Sequence, residues 1–356
     1  MTSAGPPYRV IQWATGGVGR ASIEGVLAHP DLELVGCWVH SDEKAGEDVG
    51  VLIGGDALGI TATNDRDAIM ALDADCVLYA PLLPDPREVE ALLQSGKNVV
   101  TPVGWFYPMP GDDRLASAAR DSGVTLHGTG IDPGGITELI PLVLSSLTSQ
   151  VTHVRAEEFS DIRTYNAPDV VRHIMLFGGT PEAAMSGPMI GLLTGGFTQS
   201  IRMLLDGLGF PADAEVRTDQ AVAVATAPID TPIGIIGPGQ VAAQRFAWEA
   251  VVGGEVVVRL AVNWLMGDEH LDPAWEFGPE GERYEIEITG DPSTLTTIRG
   301  FQPATPEEGW IRNPGIVATA NHVVNSVPYV CEAQPGHLSY LDLPLISGRA
   351  HPRLAQ

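Results

Sequence analysis

The chain of 356 residues is long enough for two domains, and its hydrophobic content of 44% supports a full core. Its formal net charge of −25, with only 20 lysine and arginine residues, leaves no basic stripe for nucleic acid or an anionic membrane surface. Three cysteines without a C-x-x-C pair predict neither a disulfide framework nor a zinc site, and we predict no bound metal. Because neither a signal-peptide pattern nor an apolar run of membrane-spanning length is found, we expect a soluble, cytoplasmic protein.

Strands and helices alternate through the first part of the chain. Residues 8–14 are a short apolar run that ends in a glycine turn, residues 22–30 follow with helical spacing, and residues 32–39 are a second buried strand. Further strands are predicted at 75–80, 98–103 and 124–130, with helices at 86–96 and 112–123. This alternation predicts an α/β fold with a doubly wound parallel sheet, a Rossmann domain over residues 1–148.

The pattern changes near residue 150, where a second, α+β domain is predicted. Residues 151–159 predict a longer and more polar strand, and a helical region follows roughly over 168–208. Alternating strands are predicted at 240–252 and 255–267 around Gly253-Gly254, a hairpin signal, and again at 283–290. We therefore predict a mostly antiparallel sheet with helices on one face over 149–312, an insertion for substrate binding and dimerisation. The segment 313–356, helical over 318–330, is predicted to return to the Rossmann domain.

The turn WATGGVGR (13–20) lacks the first glycine of the dinucleotide fingerprint G-x-G-x-x-G. Gly16 and Gly19 fill the second and third positions, which let the backbone approach a pyrophosphate and let helix and strand pack closely. Ala14 fills the first position, where a methyl group is the least costly addition. A strand precedes the turn and a helix begins after it, so we predict dinucleotide binding. The predicted cofactor-binding residues of this turn are Thr15, Gly16, Gly17, Val18, Gly19 and Arg20.

The end of the second strand, WVHSDEK, decides between NAD and NADP. An NAD site usually carries an acidic residue about 20 residues after the glycines, where it holds the ribose hydroxyls. Here the tip residues are His40 and Ser41, which can hold a 2′-phosphate together with the cation of Lys44, whereas Asp42 and Glu43 come one or two residues late. We therefore favour NADP and keep NAD as an alternative. The predicted cofactor site also includes Ala80, Pro81, Thr101 and Pro102.

Four stretches resemble one known group of proteins. They are WATGGVGR, GKNVVTPVGWFYP (96–108), HGTGIDPGGITELIP (127–141) and ATANHVVNSVPYVCEAQPGHLSYLDLPL (318–345). The chain resembles the dihydrodipicolinate-reductase-like proteins, which include 2,4-diaminopentanoate dehydrogenase and the NAD(P)-dependent amine dehydrogenases, and it is most similar to their actinobacterial members. The resemblance covers nearly the whole chain. It implies a Rossmann domain, an inserted α+β domain for substrate binding and dimerisation, and a homodimer.

The resemblance does not extend to the activity of dihydrodipicolinate reductase itself. The second domain of that enzyme has a His-His pair, a lysine and a D-A-P-S-G-T-A segment for its dicarboxylate. The corresponding stretch here, residues 155–171, lacks these groups and carries Glu157, Glu158 and Asp161 instead. Because a dicarboxylate needs clustered donors, this pocket is unsuited to a diacid.

The resemblance also identifies a missing acid. Amine dehydrogenases of this group place a glutamate in the loop after the N-V-V strand, where a carboxylate can activate the amine and stabilise the iminium. The loop TPVGWFYPMP (101–110) has no acidic residue, and Gly104 or Trp105 occupies that region. Asp132 stands where the group's G-T-G-x-N-P-G pattern has asparagine. It supplies the replacement carboxylate in one hypothesis, and it caps the following helix in the other.

Three further side chains are candidate catalytic groups, and each has a structural alternative. Tyr107 borders the expected nicotinamide, where it can donate a proton to an alkoxide, or else it forms an aromatic wall with Trp105 and Phe106. Tyr165 and His173 lie where the substrate-domain helices begin. His173 can act as an acid or base near neutral pH, or it is a structural histidine.

The sequence therefore predicts an NAD(P)H-dependent oxidoreductase that acts on C=N or C–NH2 of a small, mostly apolar substrate, as an amine dehydrogenase or imine reductase. The missing glutamate leaves open a second hypothesis, an NADPH-dependent ketone or aldehyde reductase without amination. A third hypothesis is a sensor that binds NADP without catalysing a reaction.

Overall fold

The computed structural model describes residues 5–111 and 113–354, except for the side chain of Pro352. The chain divides into two compact units: unit 1 comprises Met1–Gly135 and Ile316–Gln356, and unit 2 comprises Ile136–Gly315. Unit 2 thus interrupts unit 1 along the chain. The first boundary, after Gly135, comes earlier in the chain than the predicted boundary after residue 148. The second, after Gly315, comes slightly later than the predicted boundary after residue 312.

The secondary structure follows the predicted alternation closely. The strands are β1 (Tyr8–Trp13), β2 (Leu32–Trp38), β3 (Cys76–Tyr79), β4 (Asn98–Thr101), β5 (Thr125–Gly128), β6 (Ser149–Asp161), β7 (Glu215–Ala225), β8 (Val241–Val252), β9 (Glu255–Leu265), β10 (Leu271–Asp272), β11 (Arg283–Asp291), β12 (Thr294–Ile298) and β13 (Gly336–His337). The helices are α1 (Gly17–Ala28), α2 (Val49–Leu52), α3 (Arg66–Ala71), α4 (Pro86–Gln94), α5 (Asp113–Ser122), α6 (Ile140–Ser145), α7 (Pro168–His173), α8 (Pro181–Met185), α9 (Met189–Leu208), α10 (Pro306–Arg312) and α11 (Pro314–Cys331). A π-helix covers Gly135–Leu139, and 3₁₀ turns cover Ile162–Thr164 and Pro352–Leu354.

The sheet of unit 1 is parallel throughout, in the order β13-β5-β4-β3-β1-β2. The central strands β3 and β4 are short and almost wholly buried, as expected for strands that are covered on both faces of the sheet. The Rossmann fold class predicted from the alternation is confirmed. Because the strands are parallel, the loops after β1, β2, β3, β4 and β5 all lie at the same edge of the sheet.

Two details of unit 1 differ from the sequence-based expectation. The first helix begins at Gly17 rather than at residue 22, so it starts inside the glycine turn. The segment between β2 and β3 contains two short helices that the sequence analysis did not identify. Asp48 and Asp65 cap their N-termini, each accepting backbone N–H bonds.

Unit 2 is built on a seven-stranded sheet in the order β10-β7-β8-β9-β6-β11-β12. Its strands pair antiparallel except for β6 with β9, so the predicted mostly antiparallel sheet is confirmed. The β8–β9 hairpin turns at Gly253 and Gly254, both at positive φ. Helix α9 covers one face, where the rings of Phe197 and Trp248 stack at 4.0 Å.

The C-terminal segment returns to unit 1, because β13 pairs with β5 and adds a sixth strand to the parallel sheet. Helix α11 leads into that strand along the chain. Across residues 5–111 and 113–354, no helix combines the length and the apolarity needed to cross a membrane.

Candidate cofactor and catalytic site

The glycine turn between β1 and α1 is closely packed at one glycine and open at another. A Cβ added at Gly19 would overlap the carbonyl oxygen of Ala14, so only glycine lets the helix approach the strand this closely. A Cβ at Gly16 would meet nothing within 4 Å. Gly16 is the N-cap of α1 and offers no side-chain cap, so no capping side chain of this turn occupies the first N–H groups of the helix.

The substituted first position of the fingerprint carries the strain of the turn. Ala14 adopts a φ of 73°, in the left-handed region that glycine occupies at no steric cost. The fully buried side chain of Gln12 supports it, with Nε2 donating to the carbonyl oxygens of Ala14 at 3.0 Å and Trp13 at 3.1 Å. The Ala14 N–H donates to the Trp38 carbonyl at 2.8 Å. The sequence analysis did not identify Gln12. A polar residue inside a buried strand indicates a side chain that must find hydrogen-bond partners, and this was the signal that could have identified it.

Two cations, Lys44 and Arg66, lie near the end of β2, where the choice of cofactor was predicted to lie. The ammonium group of Lys44 donates to the Thr15 hydroxyl at 3.2 Å, which places a positive charge beside the glycine turn. The carboxylate of Asp42 accepts from Asn64 at 2.6 Å. The guanidinium group of Arg66 lies over the Trp38 ring at 5.6 Å. Of the predicted tip residues, His40 is exposed and Ser41 is half-buried.

The loop after β4, where the related amine dehydrogenases carry a glutamate, is a tightly held aromatic turn. Trp105 is buried at a φ of 56°, and its carbonyl accepts from the Gly128 N–H at 3.1 Å and from Nε2 of His337 at 2.7 Å. A Cβ at Gly128 would overlap this turn. Tyr107 is half-buried, and Phe106 is buried. The turn is thus fixed by a backbone hydrogen bond from β5 and by the His337 side chain of β13.

The remaining predicted cofactor residues lie at the same edge of the sheet. Ala80 follows β3 directly, and its N–H donates to the Trp13 carbonyl at 3.1 Å. Ala80, Pro81 and Pro102 are half-buried, but Thr101 is fully buried and its hydroxyl accepts from the Val103 N–H at 3.2 Å. The side chain of Thr101 therefore stabilises the start of its loop.

Asp132 lies in a compact loop after β5, defined here as the Asp132 loop, residues 130–135. The loop closes on itself through the Gly135 N–H, which donates to the Gly130 carbonyl at 2.8 Å, and through a bridge between Ile131 and Gly134. A Cβ at Gly134 would overlap the backbone of Gly130. Asp132 is half-buried, at the same edge of the sheet as the glycine turn.

A buried polar cluster lies at the end of β5. The Tyr340 hydroxyl is 2.5 Å from Oγ1 of Thr129 and 2.8 Å from Nε2 of His322, and the Tyr340 ring packs edge-on against His127 at 5.2 Å. Helix α11 and the segment after β13 bring His322 and Tyr340 to His127, a cluster to which the sequence analysis assigned no role. Among the described residues, no group of three metal-ligating side chains comes together.

Burial keeps these histidines neutral. Desolvation lowers the pKa of His127 to about 4 and that of His322 to about 4. Nδ1 of His127 lies 2.9 Å from the Leu338 carbonyl, which can only accept, so Nδ1 carries the proton. At neutral pH the cluster therefore contributes hydrogen bonds and no positive charge.

In unit 2, the structure separates the two glutamates of β6. Glu157 bonds Arg259 at 2.7 Å, whereas Glu158 accepts from Nε1 of Trp264 at 2.9 Å, so the two lie on opposite faces of the sheet. Tyr165 is 37% exposed, and desolvation, followed by the charge of Glu158, raises its pKa. The phenol of Tyr165 is therefore protonated at neutral pH. His173 is exposed at the end of α7.

Glu138 is a carboxylate to which the sequence analysis assigned no role. It is fully buried, and it lies on the π-helix Gly135–Leu139, six positions after Asp132 in the chain. Burial of a carboxyl group is costly, and π-helical turns are frequent at functional sites. A single acid within the apolar run GITELIP is the sequence signal that could have identified it.

Comparison with known proteins gives a coherent set of relatives. Residues 136–351 match the profile of the 2,4-diaminopentanoate dehydrogenase C-terminal domain. An amine dehydrogenase of Streptomyces virginiae is 33% identical over 94% of this chain and 96% of its own. The 2,4-diaminopentanoate dehydrogenase of Acetoanaerobium sticklandii is 24% identical over 95% and 93% of the two chains. The amine dehydrogenase structure from Mycobacterium smegmatis superposes with a TM-score of 0.74 at 20% identity, covering 96% and 97%, which supports the fold.

Proposed function

Since the chain belongs to the family of 2,4-diaminopentanoate dehydrogenase and amine dehydrogenase, and is an NAD(P)-dependent oxidoreductase, we propose that it acts on C=N or C–NH2 of a small, mostly apolar substrate with NADP as cofactor. In the reductive direction a ketone and ammonia lose water to form an imine, which then takes up a hydride and a proton. The full-length match to an amine dehydrogenase carries this proposal. The cofactor, when bound, exchanges the hydride, and the protein binds and orients the reactants.

The glycine turn is the proposed pyrophosphate site. Gly16 has neither a Cβ nor a side-chain cap, and the space where its Cβ would lie is open, so the backbone N–H groups at the start of α1 have no competing capping group there. Backbone donors at a helix N-terminus favour an anion both by hydrogen bonding and through the helix dipole. Thr15, Gly16, Gly17, Val18, Gly19 and Arg20 form this part of the proposed site, with Ala80, Pro81, Thr101 and Pro102 along the same sheet edge.

NADP is proposed over NAD because of the charges at the end of β2. Lys44 is held beside the turn by Thr15, while Asp42, the nearest acid after His40 and Ser41, is occupied by Asn64. A 2′-phosphate adds negative charge that Lys44 can neutralise, whereas a ribose hydroxyl gains little from it.

Replacement of this lysine tests the choice of cofactor. Lys44→Ala is expected to raise KM for NADPH about tenfold and to leave KM for NADH within about twofold, since one charge-assisted contact is lost. Steady-state kinetics with both cofactors measure the effect. Arg9→Ala is the matched control, because it removes one exposed cation at the opposite end of β1. An equal change for the two cofactors in Lys44→Ala would contradict the proposed 2′-phosphate contact.

The proposed catalytic carboxylate is Asp132, in place of the glutamate that the loop after β4 lacks. Its half-buried side chain lies at the edge of the sheet that also holds the glycine turn. There a carboxylate can take the proton from the attacking amine and stabilise the iminium. Tyr107 is kept as a candidate proton donor, and Tyr165 and His173 are kept as candidate acid–base groups of unit 2.

A second candidate function is NADPH-dependent reduction of a ketone or aldehyde without amination. The observation that favours it is the loop after β4, where Trp105 is fixed by two donors and no carboxylate is present. Carbonyl reduction needs a proton donor such as Tyr107 and does not need a base that activates ammonia.

A panel of ketones assayed with and without ammonia separates these functions. Oxidation of NADPH only in the presence of ammonia is the expected result, and amine formation is followed by mass spectrometry. Turnover without ammonia would select carbonyl reduction instead. Binding of NADPH without turnover across a broad panel would select the NADP-binding sensor.

A homodimer formed through unit 2 is also proposed. The observation that supports the dimer is a charged sheet face of unit 2. On this face opposite charges on the same or neighbouring strands form ion pairs that stay partly exposed, and they belong to Arg155, Glu157, Glu249 and Arg259. A two-fold axis can bring such charges opposite one another. Sedimentation velocity is expected to give twice the mass of one chain, and a monomer would exclude the dimer.

A cytoplasmic location is proposed as well. Cys37, Cys76 and Cys331 are all free thiols, and free thiols persist in reducing compartments. Cell fractionation tests this location, and recovery of the protein outside the cytoplasmic fraction would contradict it.

A further inference from the structure

We propose that Tyr340 and His322 are positioning residues that hold the Asp132 loop in its active geometry. This inference rests on the proposed role of Asp132. Neither residue belongs to the predicted catalytic or cofactor set, and both come from the C-terminal part of the chain.

The first step of the argument is the hydrogen-bond chain itself. The Tyr340 hydroxyl bridges Thr129 at 2.5 Å and His322 at 2.8 Å, and both Thr129 and Tyr340 are buried. Thr129 is in turn tied to β4, because its N–H donates to the Thr101 carbonyl at 2.8 Å. One phenol hydroxyl therefore connects the end of β5 to helix α11. Loss of this hydroxyl would leave Thr129 and His322 each without one hydrogen bond, which is costly for polar groups away from solvent.

The second step is the contact between His322 and the Asp132 loop. A Cβ built on Gly135 would lie 3.4 Å from Nε2 of His322, so the imidazole packs against the backbone of Gly135. Gly130 and Gly134, at φ of 146° and 143°, adopt conformations that L side chains rarely adopt. The internal bonds of the loop fix its shape, and the imidazole of His322 is a group from outside the loop that packs against it.

The third step separates positioning from proton transfer. Thr129 has no exposed surface, so the chain from His322 through Tyr340 ends at a buried hydroxyl and does not reach a substrate. His322 stays neutral at neutral pH, because desolvation lowers its pKa to about 4. The pair therefore acts on Asp132 through geometry, and displacement of a catalytic group by about 1 Å can cost up to about a hundredfold in rate.

Tyr340→Phe is the central test, since it removes one hydroxyl and keeps the ring that packs on His127. We expect kcat for imine reduction to fall about tenfold while KM for NADPH stays within about twofold. Tyr329→Phe is the matched control on the same segment: it removes the hydroxyl that bonds Ser347 and should leave kcat unchanged. Likewise, His322→Phe should lower kcat, and His322→Gln, which keeps a polar group near Tyr340, should recover part of it.

A double-mutant cycle distinguishes positioning from a separate structural role. If Tyr340 acts through Asp132, adding Tyr340→Phe to Asp132→Asn should lower kcat no further than Asp132→Asn alone. Additive losses, or full kcat in Tyr340→Phe, would overturn the inference. Full kcat in Asp132→Asn alone would instead remove the proposed role of Asp132.

Amide hydrogen exchange provides a readout that needs no substrate. Tyr340→Phe should accelerate exchange in a peptide covering residues 130–135, with the largest change at the Gly135 N–H, while Tyr329→Phe should not. Unchanged exchange in Tyr340→Phe would overturn the inference even if the protein showed no amine dehydrogenase activity.

Discussion

Asp132→Asn is expected to lower kcat for imine formation and reduction by about a hundredfold or more, with the affinity for NADPH unchanged. Asparagine keeps the size and shape of the side chain and removes its charge. The fall in kcat therefore measures the contribution of the carboxylate charge alone. General acid–base groups contribute about 10²- to 10⁴-fold in rate, which sets the scale of the effect. Steady-state kinetics with an amine or with ketone and ammonia measure kcat, and NADPH fluorescence titration measures affinity.

Glu138→Gln is the matched comparison for this prediction. Glu138 is a second carboxylate close in sequence, but it is fully buried, whereas Asp132 is half-buried. If Asp132 is the base, Glu138→Gln should retain turnover within about tenfold, because the neutral amide is a close isostere. Full activity in Asp132→Asn with loss in Glu138→Gln would transfer the catalytic role to Glu138. Normal turnover in both variants would favour carbonyl reduction without a carboxylate base.

The Rossmann half was predictable because its signals are local. Short apolar runs that alternate with segments of helical spacing predict a parallel sheet. At the glycine turn, only glycine fits at position 19 against the Ala14 carbonyl. The start of α1 was misplaced by several residues, since a helix that begins in a glycine turn has no hydrophobic periodicity there. Helices α2 and α3 were missed because they are only four and six residues long, too short for that periodicity.

The polar cluster behind the Asp132 loop could not be predicted, because it depends on long-range packing. Thr129 and Tyr340 are far apart in the sequence and meet only when β13 joins β5. Pairing of a two-residue strand leaves no periodic signal, so tertiary contacts alone bring these side chains together.

Gly19→Ala is expected to abolish measurable NADPH binding and to destabilise unit 1 by about 1–3 kcal/mol, the range for overpacked sites. In a helix, alanine normally stabilises relative to glycine by about 1 kcal/mol, so propensity alone predicts the opposite sign. The added Cβ would overlap the Ala14 carbonyl oxygen and approach Nε2 of Gln12 at 3.1 Å. Because the obstacle is backbone, rotation of a side chain cannot relieve it, and α1 must move away from β1.

Gly16→Ala separates the effect of packing from the effect of occupying the phosphate site. A Cβ at Gly16 meets nothing within 4 Å, and its φ of −71° suits alanine, so the fold should keep its melting temperature. The methyl group nevertheless enters the space where the pyrophosphate is proposed to lie, so the Kd for NADPH should rise. Gly195→Ala, on an open face of α9, is the neutral control and should keep both properties. Thermal unfolding and NADPH titration of the three variants measure them. If Gly19→Ala kept the melting temperature, close helix–strand packing would not be what the third glycine provides. If it also bound NADPH normally, the fingerprint interpretation of this turn would be wrong.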